Sequence, residues 1–426
     1  MSTDPDLQEF TMTTTPATVK EQREAFAASE ADALAQSVGA TLPSRLAPGS
    51  ARTSRFVWFS DDAALTLVVG AQEGANVDLA LAIGLAVRGD RALRLVLPSG
   101  WHEPTLHRWA WLRGDLPLQV WIHDHGQVSV AERPSREHTM DTVASTEDPP
   151  LYLGERTGWV ESLMRWAGEQ PNLDASHRRD VRAWQCRGQR VLRIQRTAEG
   201  LRIVAGIDWG QNSPHATPEA LLLTAPLTAA DEQRVKADVL AGCQQRLTGV
   251  AHKADEHWLQ AVLRRYPRVL GLEQPVLREL PAWRPCGSLN TKQALPRGRG
   301  FVDLAGLDAT GTLLLVETKL GADDMLVLQG LDYYAWAEAN RERITQRLDC
   351  HPKVPFEIAY CVGGKGGGTP TWSVHAPAQL AALADDVRWH VQEVTDWTDD
   401  SPRSARGALN AFPPTPGSDG LADASG

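Results

Sequence analysis

Apolar residues along the chain change their period repeatedly, and each change marks an element. Short β-branched runs at Arg55–Phe59, Leu65–Val69, Leu93–Leu97 and Leu118–Ile122 predict strands, and helical spacing predicts helices over Glu21–Ser37, Val77–Val87 and Glu103–Leu112. Strands alternating with helices make residues 21–140 a small α/β domain with a parallel sheet. A linker, Thr142–Pro150, leads to residues 151–248, where a helix at Gly158–Trp166 and strand runs at Ala183–Cys186, Val191–Arg196 and Leu201–Ile207 predict a β-meander. Helices over Ala229–Leu247 and Glu256–Pro267 introduce a last unit, residues 249–398. It reads as a strand at Val276–Leu280, a hairpin, a helix over Asp323–Gln346, a strand at Phe356–Val362, and a closing helix and strand at Pro377–Ala384 and Arg388–Val394. Residues 1–20 and 399–426, rich in Thr, Pro, Gly and Ser, read as disordered tails. The fold class is therefore mixed α/β.

The hairpin raises a chemical question. Ala309-Thr-Gly311 is a three-residue loop with glycine where such loops need a left-handed residue. Asp308 then faces Thr312, and counting outward places Asp303 opposite Glu317. Lys319 shares their face, two residues along the same strand. The run Leu313–Val316 is apolar on both faces, as in a central strand. Two opposed carboxylates and an amine on such a strand are costly unless compensated. One compensation is a salt-bridge cluster of Asp303, Glu317 and Lys319. The other is a divalent cation, and hard carboxylate oxygens suit Mg²⁺ or Mn²⁺. A cation held there beside a lysine suits phosphodiester hydrolysis.

Charge and composition narrow the setting. With 43 basic and 53 acidic residues the net charge is −10, unlike a general nucleic-acid binder. Between Arg264 and Arg299, however, Arg264, Arg265, Arg268, Arg278, Arg284, Lys292, Arg297 and Arg299 face only Glu273 and Glu279. Such a patch either meets backbone phosphates or is a solvated face. Five cysteines without a C-x-x-C pair argue against structural zinc and a disulfide framework. The polar start has no apolar leader and no run is long enough to span a bilayer, so the expected location is the cytoplasm. The turn Gly70–Gly74 lacks the phosphate-loop patterns and reads as a tight turn, with nucleotide sensing as the alternative. His123 and His125 lack a third metal ligand, and the turn Gly363–Gly368 with Lys365 reads as a loop.

In order, residues 250–395 offer Glu256 on a helix, Arg299-GFVD at Asp303, the run LLVETK ending at Lys319, and a helix carrying Gln329-GLDYYAW. This resembles the PD-(D/E)XK, or restriction-endonuclease-like, nucleases. The resemblance implies an αβββαβ core in which Asp303 and Glu317 bind Mg²⁺ (or Mn²⁺), Lys319 assists the attacking water and Gln329 points into the site. It also implies Glu256 as a supporting metal carboxylate. Thr318 stands where a bulky aliphatic is usual, and alternation points it away from the site. Gln329, Tyr333 and Trp336 share one helical face, so Tyr333 is either a base-stacking residue or core. With Lys292, Arg297 and Arg299 it forms the candidate nucleic-acid contact. The expected activity is metal-dependent hydrolysis of DNA, with RNA left open, no membrane partner, and a homodimer compatible with the sequence. The rival is an inert nucleic-acid-binding or scaffold protein that keeps the fold.

Overall fold

The structure is a computed structural model that describes residues 30–40, 45–46, 56–70, 76–144, 153–178, 181–207, 218–248, 255–285, 297–399 and 401–407. The architecture is mixed α/β, with three sheets that follow one another along the chain. Among the described residues no helix is long and apolar enough to cross a membrane.

The first sheet joins β1 (Arg45–Leu46), β2 (Val57–Ser60), β3 (Ala64–Val68), β4 (Ala92–Pro98), β5 (Leu118–Asp124) and β6 (Gln127–Val130) in that order. Its middle, β3 to β5, is parallel as expected, and its outer pairs are antiparallel. Helices α1 (Ala31–Ser37), α2 (Val77–Val87), α3 (Glu103–Trp109) and α4 (Arg136–Val143) accompany it. The turn Gly70–Gly74 lies outside the described residues beyond Gly70. His123 is buried against the Val69 carbonyl, whereas His125 is exposed in the following turn, so the two do not share a face.

The second sheet is an antiparallel meander of β7 (Asp174–Arg178), β8 (Val181–Cys186), β9 (Gln189–Arg196), β10 (Leu201–Ala205) and β11 (Ala220–Leu223). It carries α5 (Glu161–Glu169) and α6 (Ala229–Thr248), whose Val235, Val239 and Cys243 enter the meander's own core.

The third sheet holds the hairpin. Helix α7 (Glu256–Arg265) is followed by β12 (Leu277–Pro285), β13 (Arg297–Leu307), β14 (Leu313–Leu320), α8 (Leu326–Ala339), α9 (Arg341–Arg347), β15 (Phe356–Gly363), α10 (Ala376–Ala382), β16 (Trp389–Thr395) and β17 (Arg403–Gly407). Strands β12, β13 and β14 are antiparallel neighbours, while β14, β15 and β16 run parallel. Leu313 and Leu315 of β14 pack on the α8 side, and Leu314 and Val316 pack with α7 on the other, so this strand is covered on both faces. Glycine permits the tightest helix contact: a Cβ at Gly330 would lie 2.4 Å from the Tyr360 ring, so α8 seats directly on β15. The Tyr360 hydroxyl donates to the Val327 carbonyl at 3.0 Å and fixes that seating.

Three expectations change. The long helix expected over Asp323–Gln346 is two helices that part at Asn340, whose backbone leaves helical geometry at φ −119° while its side chain donates to the Trp336 carbonyl at 2.8 Å. The expected C-terminal tail contributes β17, an edge strand that pairs with β16. Backbone hydrogen bonding at a sheet edge requires no apolar pattern, so composition gave no sign of it. Finally, the first and third sheets are not separate cores. Leu81, Leu95 and Trp111 belong to one apolar cluster with Leu315, Leu331 and Ile358.

Candidate active site

The hairpin folds as its spacing requires. Gly311 is left-handed at φ 80°, Asp308 N–H donates to the Thr312 carbonyl at 2.9 Å, and the paired positions run from Leu307↔Leu313 to Leu304↔Val316. The ladder stops one position short of Asp303 and Glu317. On the other side of β13 the pairing with β12 also omits Asp303, where its expected partner is Glu279. Glu279 is left-handed at φ 51°, a costly state for a residue with a side chain. Alternation breaks here too: Val302 and Ala305, three apart, enter the same core cluster.

This irregularity turns the Asp303 carboxylate onto the neighbouring strand. Its Oδ2 accepts from Thr318 N–H at 2.8 Å and from the Thr318 hydroxyl at 2.7 Å. Thr318 itself accepts from Gln260 Nε2 of α7 at 3.2 Å. The expectation that Thr318 faces away from the chemistry is therefore corrected: strict alternation fails at Asp303, and the threonine holds the carboxylate.

Glu317, only 2% exposed, accepts from Lys319 Nζ through Oε1 at 3.1 Å, and its Oε2 is buried without a partner. Lys319 Nζ also donates to Glu256 Oε1 at 3.2 Å, across from the first turn of α7. The Asp255 side chain caps that helix by accepting from Trp258 N–H, which sets the Glu256 position. Gln329 and Tyr333, one turn apart on α8, line an open pocket of about 240 Å³ together with Glu256, His257, Glu279, Arg284 and Asp303.

The electrostatics are those of carboxylates in conflict. Burial first, and then the Asp303 charge, raises the Glu317 carboxyl well above the ordinary value of 4.5 despite Lys319. Burial likewise raises Asp303 against the pull of Lys319 and the Thr318 hydrogen bonds, and raises Glu256. Burial opposes the Lys319 charge, but Glu317, Glu256 and Asp303 outweigh it and hold the ammonium charged. The Tyr333 hydroxyl is pushed up to about 12 by burial and the Glu317 charge.

Asp303, Glu317 and Lys319 thus meet as the hairpin spacing predicts, and Glu256 and Gln329, which the motif resemblance implies, lie beside them. Glu256 reaches the cluster through Lys319, and among the described residues no group of three or more His, Cys, Asp or Glu is arranged to hold a metal ion. Tyr333 is 3% exposed: its ring packs beside Gly300 and its hydroxyl accepts from Phe301 N–H at 3.2 Å. It is a wall of the pocket and offers no face for base stacking; Trp336 is core. Arg297 and Arg299 lie on β13, where only their backbone is described, and Lys292 lies outside the described residues.

The basic patch is largely consumed within the fold. Arg278, with no exposed side-chain surface, pairs with Asp174 and donates to Gln185 Oε1 at 2.9 Å and the His257 carbonyl at 3.1 Å. Arg264 pairs with the same Asp174, and Arg265 donates to the Pro171 carbonyl at 2.8 Å. These arginines fasten the meander to α7. Sequence spacing could not show this, because Asp174 lies about ninety residues away.

Sequence reasoning also missed Glu279 as a member of the site. No sequence signal pointed to it, because the register of β12 on β13 is independent of the Gly311 loop and becomes visible only in the folded sheet. No protein family, no curated protein and no solved structure matches this chain.

Proposed function

We propose that the chain is a divalent-cation-dependent nuclease that hydrolyses phosphodiester bonds of DNA at the Asp303, Glu317 and Lys319 cluster. One observation carries the reading. Among the described residues, Asp303 and Glu317 are buried in one cluster with Glu256, Lys319 is the cation hydrogen-bonded to Glu317 and Glu256, and Glu317 keeps a buried oxygen without a donor. Buried carboxylates in excess of their cations fit a missing positive charge better than a finished salt bridge. The order of α7, β12, β13, β14, α8 and β15 agrees with the αβββαβ core that the motif resemblance implies.

The donor set suits a hard cation: Glu317 Oε2 and the Asp303 oxygen not engaged by Thr318 are the candidate ligands, with Glu256 behind Lys319. When bound, Mg²⁺ or Mn²⁺ supplies Lewis-acid stabilisation of charge on the phosphate. The chain's own residues do the rest. Lys319, held charged between Glu317 and Glu256, orients the attacking water and offsets charge in the transition state. Gln329, on a helix fixed by Tyr360, presents an amide to the pocket. Thr318 holds Asp303 in place.

The test is cleavage of linear and circular DNA, single- and double-stranded, with Mg²⁺ or Mn²⁺ and with EDTA. Wild type is expected to cut only with the cation, and Lys319→Ala to lose at least about a hundredfold in rate. A second reading is favoured by the two contacts that already neutralise Lys319: an inert nucleic-acid-binding or scaffold protein. DNA binding that needs no cation, with no cutting of any substrate, would support that reading instead.

A further inference from the structure

A guanidinium stands in the pocket wall beside the carboxylates. Arg284 lies near the end of β12, half-buried, and lines the pocket with Glu256, Glu279 and Asp303. Among the described residues it makes no ion pair with any of them, and its buried Nε has no hydrogen-bond partner. Its neighbours in the basic patch behave differently: Arg264 and Arg278 are tied to Asp174, and Arg265 to a backbone carbonyl. Of the patch's residues whose side chains are described, Arg284 alone faces the carboxylate site. The stem is held in place, since a Cβ on Gly300 would sit 3.0 Å from Arg284 Cγ and 2.8 Å from the Tyr333 hydroxyl. Glycine at position 300 therefore lets the arginine and the tyrosine pack side by side over β13.

A permanently charged guanidinium that is partly desolvated and left without an anion is unfavourable by itself. It becomes favourable when a ligand supplies the anion, and a planar fork matches two oxygens of a phosphate better than a lysine does. We infer that Arg284 is the phosphate-binding residue of this pocket, gripping a phosphodiester of the bound strand beside the Asp303 and Glu317 carboxylates. The inference rests on the hydrolase reading above. Because Glu256, Glu279 and Asp303 line the same pocket, an anion binds only where Arg284 offsets their repulsion.

The test is fluorescence anisotropy of the full chain with short fluorescein-labelled DNA, duplex and single strand. Ca²⁺ replaces Mg²⁺ so that binding is read without turnover. Arg284→Gln is expected to weaken binding about tenfold for every sequence and to lower the salt slope by about one counterion. Arg284→Lys should restore the slope but only part of the affinity, because a point charge replaces a fork. Unchanged melting temperatures in both variants separate lost contact from lost fold. If wild type cuts DNA with Mg²⁺ while Arg284→Gln binds with the same affinity and salt slope, the inference alone is overturned. If wild type neither binds nor cuts nucleic acid, the hydrolase reading falls and this falls with it.

Discussion

A carboxyl group whose pKa is raised by burial destabilises the fold wherever it must be ionised. Glu317 and Asp303 are both in this position. A folded-state value raised above the unfolded one contributes stability that is full below the unfolded value and is lost as pH rises through the folded value. The metal-free protein should therefore lose stability from about pH 4.5 upward as these groups ionise. Glu317→Gln removes the charge and keeps the shape, so its melting temperature without metal should exceed that of wild type at neutral pH. A cation that binds only the folded state adds stability by mass action, so millimolar Mg²⁺ or Ca²⁺ should raise the wild-type melting temperature. That rise should vanish in Glu317→Gln. Thermal melts from pH 5 to 8, with cation and with EDTA, read both effects; a wild-type melting temperature indifferent to both would count against a cation at this site.

Strand β12 shows how one element is bent to bring a side chain to the site. A left-handed glutamate in a strand costs roughly 1–3 kcal/mol, and Glu279 occupies that state where the pairing with Asp303 is interrupted. Glycine adopts φ 51° without that penalty. If Glu279 is kept for the chemistry, Glu279→Gly should melt no lower than wild type while cleavage falls about tenfold or more. A purely structural role for the carboxylate predicts the reverse, a lower melting temperature with activity per folded molecule unchanged. The pairing that the Gly311 loop predicts holds from Leu307↔Leu313 to Leu304↔Val316 and ends where β12 leaves ideal geometry at Glu279. Thr318 meets Asp303 for the same reason: alternation holds only while the ladder does.

Across the whole molecule, the first sheet acts as a support for the third. Arg108 of α3, 2% exposed, donates to Asp332 Oδ1 at 2.8 Å and Oδ2 at 2.7 Å, and also pairs with Asp78 of α2. Asp332 lies between Gln329 and Tyr333 of the pocket and the residues that face the first sheet, so this pair pins α8 from behind. Removing Asp332 takes away the fully buried bidentate partner and leaves the buried Arg108 only the partly exposed Asp78. Asp332→Ala should cost about 3–5 kcal/mol in denaturant unfolding. Because Leu81, Leu95 and Trp111 share a core with Leu315 and Leu331, residues 249–407 expressed alone should be insoluble. The meander is fastened on the opposite side, through Asp174 to Arg264 and Arg278, and Arg187 and Arg246 each lie over the Trp258 ring of α7. The helix that carries Glu256 is thus clamped by a unit in which sequence reasoning found no function.

Most of the elements, the hairpin register as far as Leu304 and the meeting of Asp303, Glu317 and Lys319 follow from periodicities of two or 3.6 and from one glycine in a short loop, which are local rules. Glu256 and Gln329 were legible only through the motif resemblance. Only the tertiary structure decided where the arginines point, that Tyr333 is buried, that Glu279 joins the site and that two sheets share one core. Those outcomes depend on contacts between residues far apart in the chain, such as Arg278 with Asp174 and Arg108 with Asp332. A charge's role is set by the partner that folding brings to it, and no local pattern encodes that partner.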